Sequence, residues 1–332
     1  MNVSSTPTEL PTVTRRKLNE LFTREEISHL TRRSDAHGGL AVLRVWAAIA
    51  LCFTALAAFP NPLTFVLVVI VLGGRQLALA ILSHEAAHRT LFRTPWLNDF
   101  VGDWLCARLI WNDVPRYRTH HLKHHTHTGT AADPDLSLTK NLPTTRRSLM
   151  KKFVRDLTGQ TAVRRIGAQF LMDIGVFGYT VAAEVERLPR NGRSWRDYAR
   201  IGVQNLWGFV LTNLLLATAL AAAGALWTYW AWVAAYFTTF SLFIRIRSIA
   251  EHACLEDSPD MFKNTRTTRA GWLARMTVAP LHVNYHLEHH VMASVPFYRL
   301  PRMHALLRAR QAVPAAPGYA QVLRIASALH RA

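Results

Sequence analysis

Cysteine is scarce in this chain of 332 residues: Cys52, Cys106 and Cys254 cannot build a disulfide framework, and no two of them stand at metal-ligand spacing. Acid is scarce too, with 21 Asp and Glu against 39 Lys and Arg and a formal net charge of +18. Charge of either sign is absent from residues 45–74 and from residues 201–244. In a soluble protein the basic excess would suggest nucleic acid, but no recognised nucleic-acid motif accompanies it. Each uncharged stretch is too long for one buried core helix and suits a pair of membrane-crossing helices. Residues 1–35 do not read as a secretory signal: they are polar, carry Arg15, Arg16 and Lys17, and contain no apolar segment. They are expected to stay in the cytoplasm, with a short surface helix over residues 20–33.

The two apolar stretches each contain a divider. Pro60-Asn61-Pro62 breaks the first, and Gly224 and Trp227 mark the second. The expected fold is an all-α integral membrane protein with four transmembrane helices, at about residues 41–59, 63–82, 201–223 and 228–246, arranged as two hairpins beneath a cytoplasmic helical cap. Residues 1–38 read as a cytoplasmic N-terminal segment and residues 39–332 as one membrane domain. Trp207, Trp227, Trp230 and Trp232 suit interfacial positions. Both outer turns lack Lys and Arg, so the basic segments and both termini are expected on the cytoplasmic side of the inner membrane. Residues 100–111, with Asp103 and Arg108, and residues 162–186, with Arg164, Arg165 and Asp173, read as interfacial or re-entrant helices rather than spans. Arg75 falls in or near the apolar zone, where it would snorkel to the interface or meet a substrate headgroup.

Histidine is abundant, at 16 residues, and it is grouped. His84 and His88 are four residues apart, about 40° around a helix, and could grip one metal from the end of the second span. His121, His124 and His125 form an HxxHH pattern, beside His120 and His127; His286, His289 and His290 form another. In such a triplet the i and i+3 rings are expected to share a face while the i+4 ring diverges, so the triplet serves one metal and reaches a neighbour. An even number of crossings precedes each cluster, so all three end at one membrane face and can converge.

These residues resemble the membrane fatty acid desaturase superfamily, whose pattern is HxxxH, HxxHH and HxxHH around two helical hairpins. The resemblance covers roughly residues 40–302. It includes Trp96-Leu97-Asn98-Asp99 after the first box, Asp133-Pro134-Asp135 after the second, and Asn284-Tyr285 entering the third. It implies a di-iron site held by His84, His88, His121, His124, His125, His286, His289 and His290, with O2 as co-substrate and electrons from an external ferredoxin or cytochrome. The chain shows no HPGG haem motif, hence the expectation of a separate donor. His252 is expected as a ninth ligand. It closes the fourth span at about the height of His84, and the superfamily often places a ligand there. Residues expected to support the ligands are Glu85, Asp133, Asp135, Ser248, His282 and Asn284; His282 could share the helix face of His286. His29, His37, His304 and His330 read as solvated.

The implied reaction is O2-dependent desaturation of a fatty acyl or related lipid chain, with hydroxylation on the same scaffold as the alternative. A rival reading takes His84-Glu85-Ala86-Ala87-His88 as the HExxH of an intramembrane zinc protease, with Glu85 as general base. That reading leaves both HxxHH patterns without a role. A transporter would want ionisable residues inside its spans, which contain almost none.

Overall fold

The computed structural model describes residues 18–328, all of whose regular elements are helical. Arg15, Arg16, Lys17 and His330 lie outside the described residues. Helix α1 (Arg24–Leu30) starts at a capping box in which Thr23 accepts from the Glu26 backbone and Glu26 from the Thr23 backbone. It is not simply a surface helix, because Phe22 and Leu30 are buried in the main core.

Among the described residues four helices are long and apolar enough to cross a membrane: Arg24–Ala58, Pro62–Ala87, Trp195–Ala222 and Leu226–His252. Within the first lies α2 (Asp35–Ala58). The second is α3 (Pro62–Ala87), started by Pro62 and by Asn61, whose side chain accepts from the Thr64 amide at 3.0 Å. The prolines expected to divide this stretch therefore do so. From Leu72 onward α3 is buried on nearly all sides, because α2, α4 (Pro95–Gly102) and α5 (Val114–His127) pack against it, as do both segments of the fourth long helix.

Residues 103–110 form a π turn and a 3-10 turn in which Arg108 donates to Asp103 at 2.9 Å, so the two charges of this apolar segment neutralise each other. Next come α6 (Arg146–Leu157) and α7 (Gln160–Asp173). Helix α7 stops at Asp173, whose buried carboxylate accepts from Trp111 Nε1 and Arg116 Nη1, both at 2.7 Å, and Gly175 turns the chain at φ +78°. The third long helix, α8 (Trp195–Ala222), begins before the expected residue 201.

The fourth long helix is broken, which the uninterrupted apolar pattern did not foretell. α9 (Tyr229–Phe237) and α10 (Thr239–His252) meet at Thr238. Thr238 Oγ1 donates back to the Ala234 carbonyl at 2.6 Å, and Thr239 Oγ1 donates across to Val69 of α3 at 2.8 Å. That crossing needs Gly73, where an added Cβ would lie 2.1 Å from Thr239 Oγ1. The chain continues through α11 (Met261–Asn264), α12 (Trp272–Met276), α13 (His286–Val291), α14 (Leu300–Ala309) and α15 (Tyr319–Ala326). Arg75 has a partner within the protein: its Nη2 donates to the Met276 carbonyl at 2.9 Å and caps α12.

Candidate metal centre

Helix α3 ends at His84 and His88, α5 carries His121, His124 and His125, α13 carries His286, His289 and His290, and α10 ends at His252. All nine meet. His84, His88, His121, His125 and His289 form one group, and His124, His252, His286 and His290 form a second; within each, the ring nitrogens able to ligate lie within 4.8 Å of one another. Each group could hold one metal ion.

The two HxxHH triplets divide differently from the expectation. The i and i+4 rings stay together (His121 with His125, His286 with His290), and the i+3 ring goes to the other group. Residues i and i+4 are about 40° apart around a helix, whereas i+3 lies about 60° away on the opposite side. The i+3 imidazole is therefore the one that crosses over, and α5 and α13 exchange one ring each.

Two observations test whether these residues fit metal. His121 Nε2 and His125 Nε2 are 3.0 Å apart, His125 Nε2 and His289 Nε2 3.0 Å, and His252 Nε2 and His286 Nε2 2.9 Å. Ligands at right angles on one ion, with bonds of about 2.1 Å, would be about 3.0 Å apart. In addition both ring nitrogens of His84 and Nε2 of His88 are buried without a hydrogen-bond partner, which is costly unless something else occupies them. Burial, together with neighbouring imidazoles, pushes His121, His125, His286, His289 and His290 well below the usual imidazole range. Burial also holds His88 down, to about 3. Neutral imidazoles with free lone pairs are what a first-row transition metal requires.

Hydrogen bonds aim several of these rings. His124 Nδ1 donates to Asp133 at 2.8 Å and His252 Nδ1 to the Asn264 carbonyl at 3.2 Å, leaving Nε2 of each for the cluster. Asp135 binds His120, which is buried, at 2.8 Å. Asn284 exchanges two hydrogen bonds of 2.9 Å with the Thr268 backbone and anchors the entry to α13. Ser248 lines the adjoining cavity one turn before His252. His282 does not share the helix face of His286, because Leu281 and His282 are left-handed (φ 53° and 59°) and the helix begins only at His286. Glu85 accepts from Thr90 Oγ1 at 2.8 Å and from the Phe297 amide at 3.1 Å, so it braces the fold rather than facing an open metal position.

Sequence reasoning missed three partners. Glu251, held by Arg247 Nε at 2.7 Å, lies 3.5 Å from His286 Nδ1. Glu288 is fully buried, accepting from Thr267 Oγ1 and, at 2.7 Å, from His304 Nδ1, so His304 is not a solvated residue. The Tyr117 ring stacks on His121, 5.1 Å away. The Arg247–Glu251 pair was legible as an i,i+4 ion pair at the end of an apolar span, where charges survive only in pairs.

A cavity of about 460 Å³ adjoins the centre. His121, His124, His252 and His286 form part of its wall, and Met172, Phe240 and Ile244 contribute an apolar part. Its size is that of a small-molecule site.

These features define a helical membrane protein with a histidine cluster able to hold metal beside a partly apolar cavity. The chain belongs to the fatty acid desaturase family, whose model matches residues 60–322, and is an oxidoreductase. It is 27% identical over 313 residues to a dihydrorhizobitoxine desaturase of Bradyrhizobium elkanii, covering 91% of this chain and 82% of that protein. It is 26% identical over 275 residues to a beta-carotene ketolase of Paracoccus sp. (strain PC1), covering 78% of this chain and 90% of that protein.

Proposed function

We propose that the chain is an O2-dependent di-iron desaturase that removes two hydrogens from neighbouring methylenes of a fatty acyl or related lipid chain. The observation that carries this reading is the pair of imidazole groups beside a cavity with an apolar wall of Met172, Phe240 and Ile244. His84, His88, His121, His125 and His289 would hold one iron, and His124, His252, His286 and His290 the other. Two irons would supply a site at which O2 is reduced and made able to oxidise an unactivated C–H bond. The balanced reaction takes one substrate, one O2, two electrons and two protons to an alkene and two waters. The electrons come from a separate ferredoxin or cytochrome.

The protein's own part is placement. Asp133 and the Asn264 carbonyl fix the rings of His124 and His252. Phe240 and Ile244 would keep water from the chain and hold a methylene beside the histidines. The four long helices form two hairpins with uncharged turns outside, and α5 and α13, with the histidine-bearing ends of α3 and α10, form the cytoplasmic cap, with both termini on that side.

The ketolase among the relatives supports oxygen insertion as a second reading, since the same ligands serve both outcomes. Expression in a heterologous host, with lipid profiling under air and under nitrogen, decides between them. Desaturation gives an O2-dependent product two mass units lighter than its precursor, and His124→Ala abolishes it. A product sixteen mass units heavier would replace desaturation by hydroxylation, and an unchanged profile with the precursor present would refute both.

A further inference from the structure

A second cavity, of about 290 Å³, shares no lining residue with the one beside the histidine cluster. Arg269, Arg275 of α12 and Arg308 of α14 line it, and none of the nine clustered histidines does. Arg269 and Arg275 are exposed, and their side chains make no hydrogen bond or ion pair among the described residues. Arg308 donates to the Val313 carbonyl at 2.7 Å. No carboxylate lines this cavity. Glu288, which bonds to its lining residues Thr267 and His304, is itself fully buried. Asn284 also lines it, and its Oδ1 is buried without a hydrogen-bond partner, an unfilled acceptor that is costly unless something occupies it.

Helix α3 sets the depth of this cavity. Arg75 donates to the Met276 carbonyl, and a Cβ added at Gly74 would meet the same carbonyl. From Arg75 to His84 α3 rises roughly 13 Å, so α12 lies well below the histidines, at the level of acyl chains. Trp272 and Leu273 of α12 are 73% and 60% exposed, and at that level an exposed apolar surface faces lipid. His304 and Arg308 stand higher, on the helix that packs against α13. The cavity therefore has an apolar lower lip and a basic wall above it, which the long Arg275 side chain can reach by snorkelling.

We propose that this cavity binds the head of an anionic phospholipid. Arg269, Arg275 and Arg308 would hold the phosphate, and the acyl chains would lie along Trp272 and Leu273. Basic pockets among membrane helices take lipid head groups of this kind, and guanidinium donors match phosphate oxygens in pairs. The unfilled acceptor of Asn284 suits a head group with hydroxyls, such as glycerol, whereas a wall without carboxylates offers nothing to the ammonium of choline. Such a lipid would join α12, the entry to α13 and α14, bracing the helix that carries the third histidine group. The inference rests on the membrane placement of α3 and goes beyond the oxidation reading.

The test is native mass spectrometry of the purified full-length chain, titrated in detergent with dioleoylphosphatidylglycerol or dioleoylphosphatidylcholine. The glycerol lipid should bind saturably, at concentrations roughly tenfold below those of the choline lipid. Arg269→Gln combined with Arg275→Gln should weaken it roughly 10–30-fold, as the loss of two cations beside a lipid phosphate requires. Neither side chain bonds within the protein, so the fold should persist. Arg147→Gln combined with Lys151→Gln, on the exposed basic face of α6, removes the same charge and should leave binding unchanged. Glycerol 3-phosphate, which has the head but no chains, should displace the lipid only at far higher concentrations. Equal loss in both double variants, no preference between the two lipids, or no saturable binding would overturn the proposal. Displacement by glycerol 3-phosphate at concentrations matching the lipid would overturn it too, by assigning the site to a free phosphate ester. Binding is read without turnover, so none of these results bears on the oxidation reading.

Discussion

An imidazole ligates only when a lone pair is free and aimed. Burial supplies the first condition here, and hydrogen bonds to the far ring nitrogen supply the second. Two predictions follow this division. His252→Ala removes one of the four rings in its group, and bound iron should fall from about two per chain to about one while membrane insertion persists. Asp133→Asn keeps His124 but weakens the carboxylate that orients it; iron affinity should drop roughly 10–100-fold, measured by loss to a chelator. His252 was legible in the sequence, because rise per residue puts it near the height of His84 and the family resemblance places a ligand there. The crossing-over of His124 and His289 was not, because the choice between +40° and −60° depends on where the second cluster lies. Nor was the support from His304, which is distant in sequence from Glu288 and meets it only through the packing of α14 on α13.

Among the elements, α3 carries the greatest constraint. Gly73 and Gly74 admit Thr239 and the end of α12, so small residues replace the side-chain interface expected between two apolar helices. Gly73→Val should displace Thr239, separate α3 from α10 and destabilise the protein by about 1–3 kcal/mol. In detergent this would appear as a lower unfolding temperature, with iron lost at the same temperature. A Gly73→Val protein as stable as the wild type would show that the close approach is dispensable. The places of the four long helices were readable from charge-free length and from the prolines at 60 and 62, apart from the earlier start of α8. The break at Thr238 was not readable, because both threonines fit an apolar helix and only their cross-bond to Val69 reveals the interruption. The partner of Arg75 was not readable for a similar reason: it is a carbonyl supplied by α12, about two hundred residues away in the chain.

At the scale of the whole molecule, the net charge of +18 is expected to face the cytoplasm and an acidic electron donor. Donor-dependent turnover should therefore fall as ionic strength rises, since screening shortens the reach of the basic face; turnover indifferent to salt would assign that charge to topology alone. A cysteine probe near Thr145 should be inaccessible from the periplasmic side, and labelling there would invert the proposed orientation. The central claim is that two imidazole groups hold two irons, and metal analysis of the purified chain tests it most directly. The account predicts about two irons per wild-type chain, and about one in His88→Ala and in His286→Ala, which strike different groups. A single zinc per chain, or full O2-dependent turnover by iron-free protein, would contradict it.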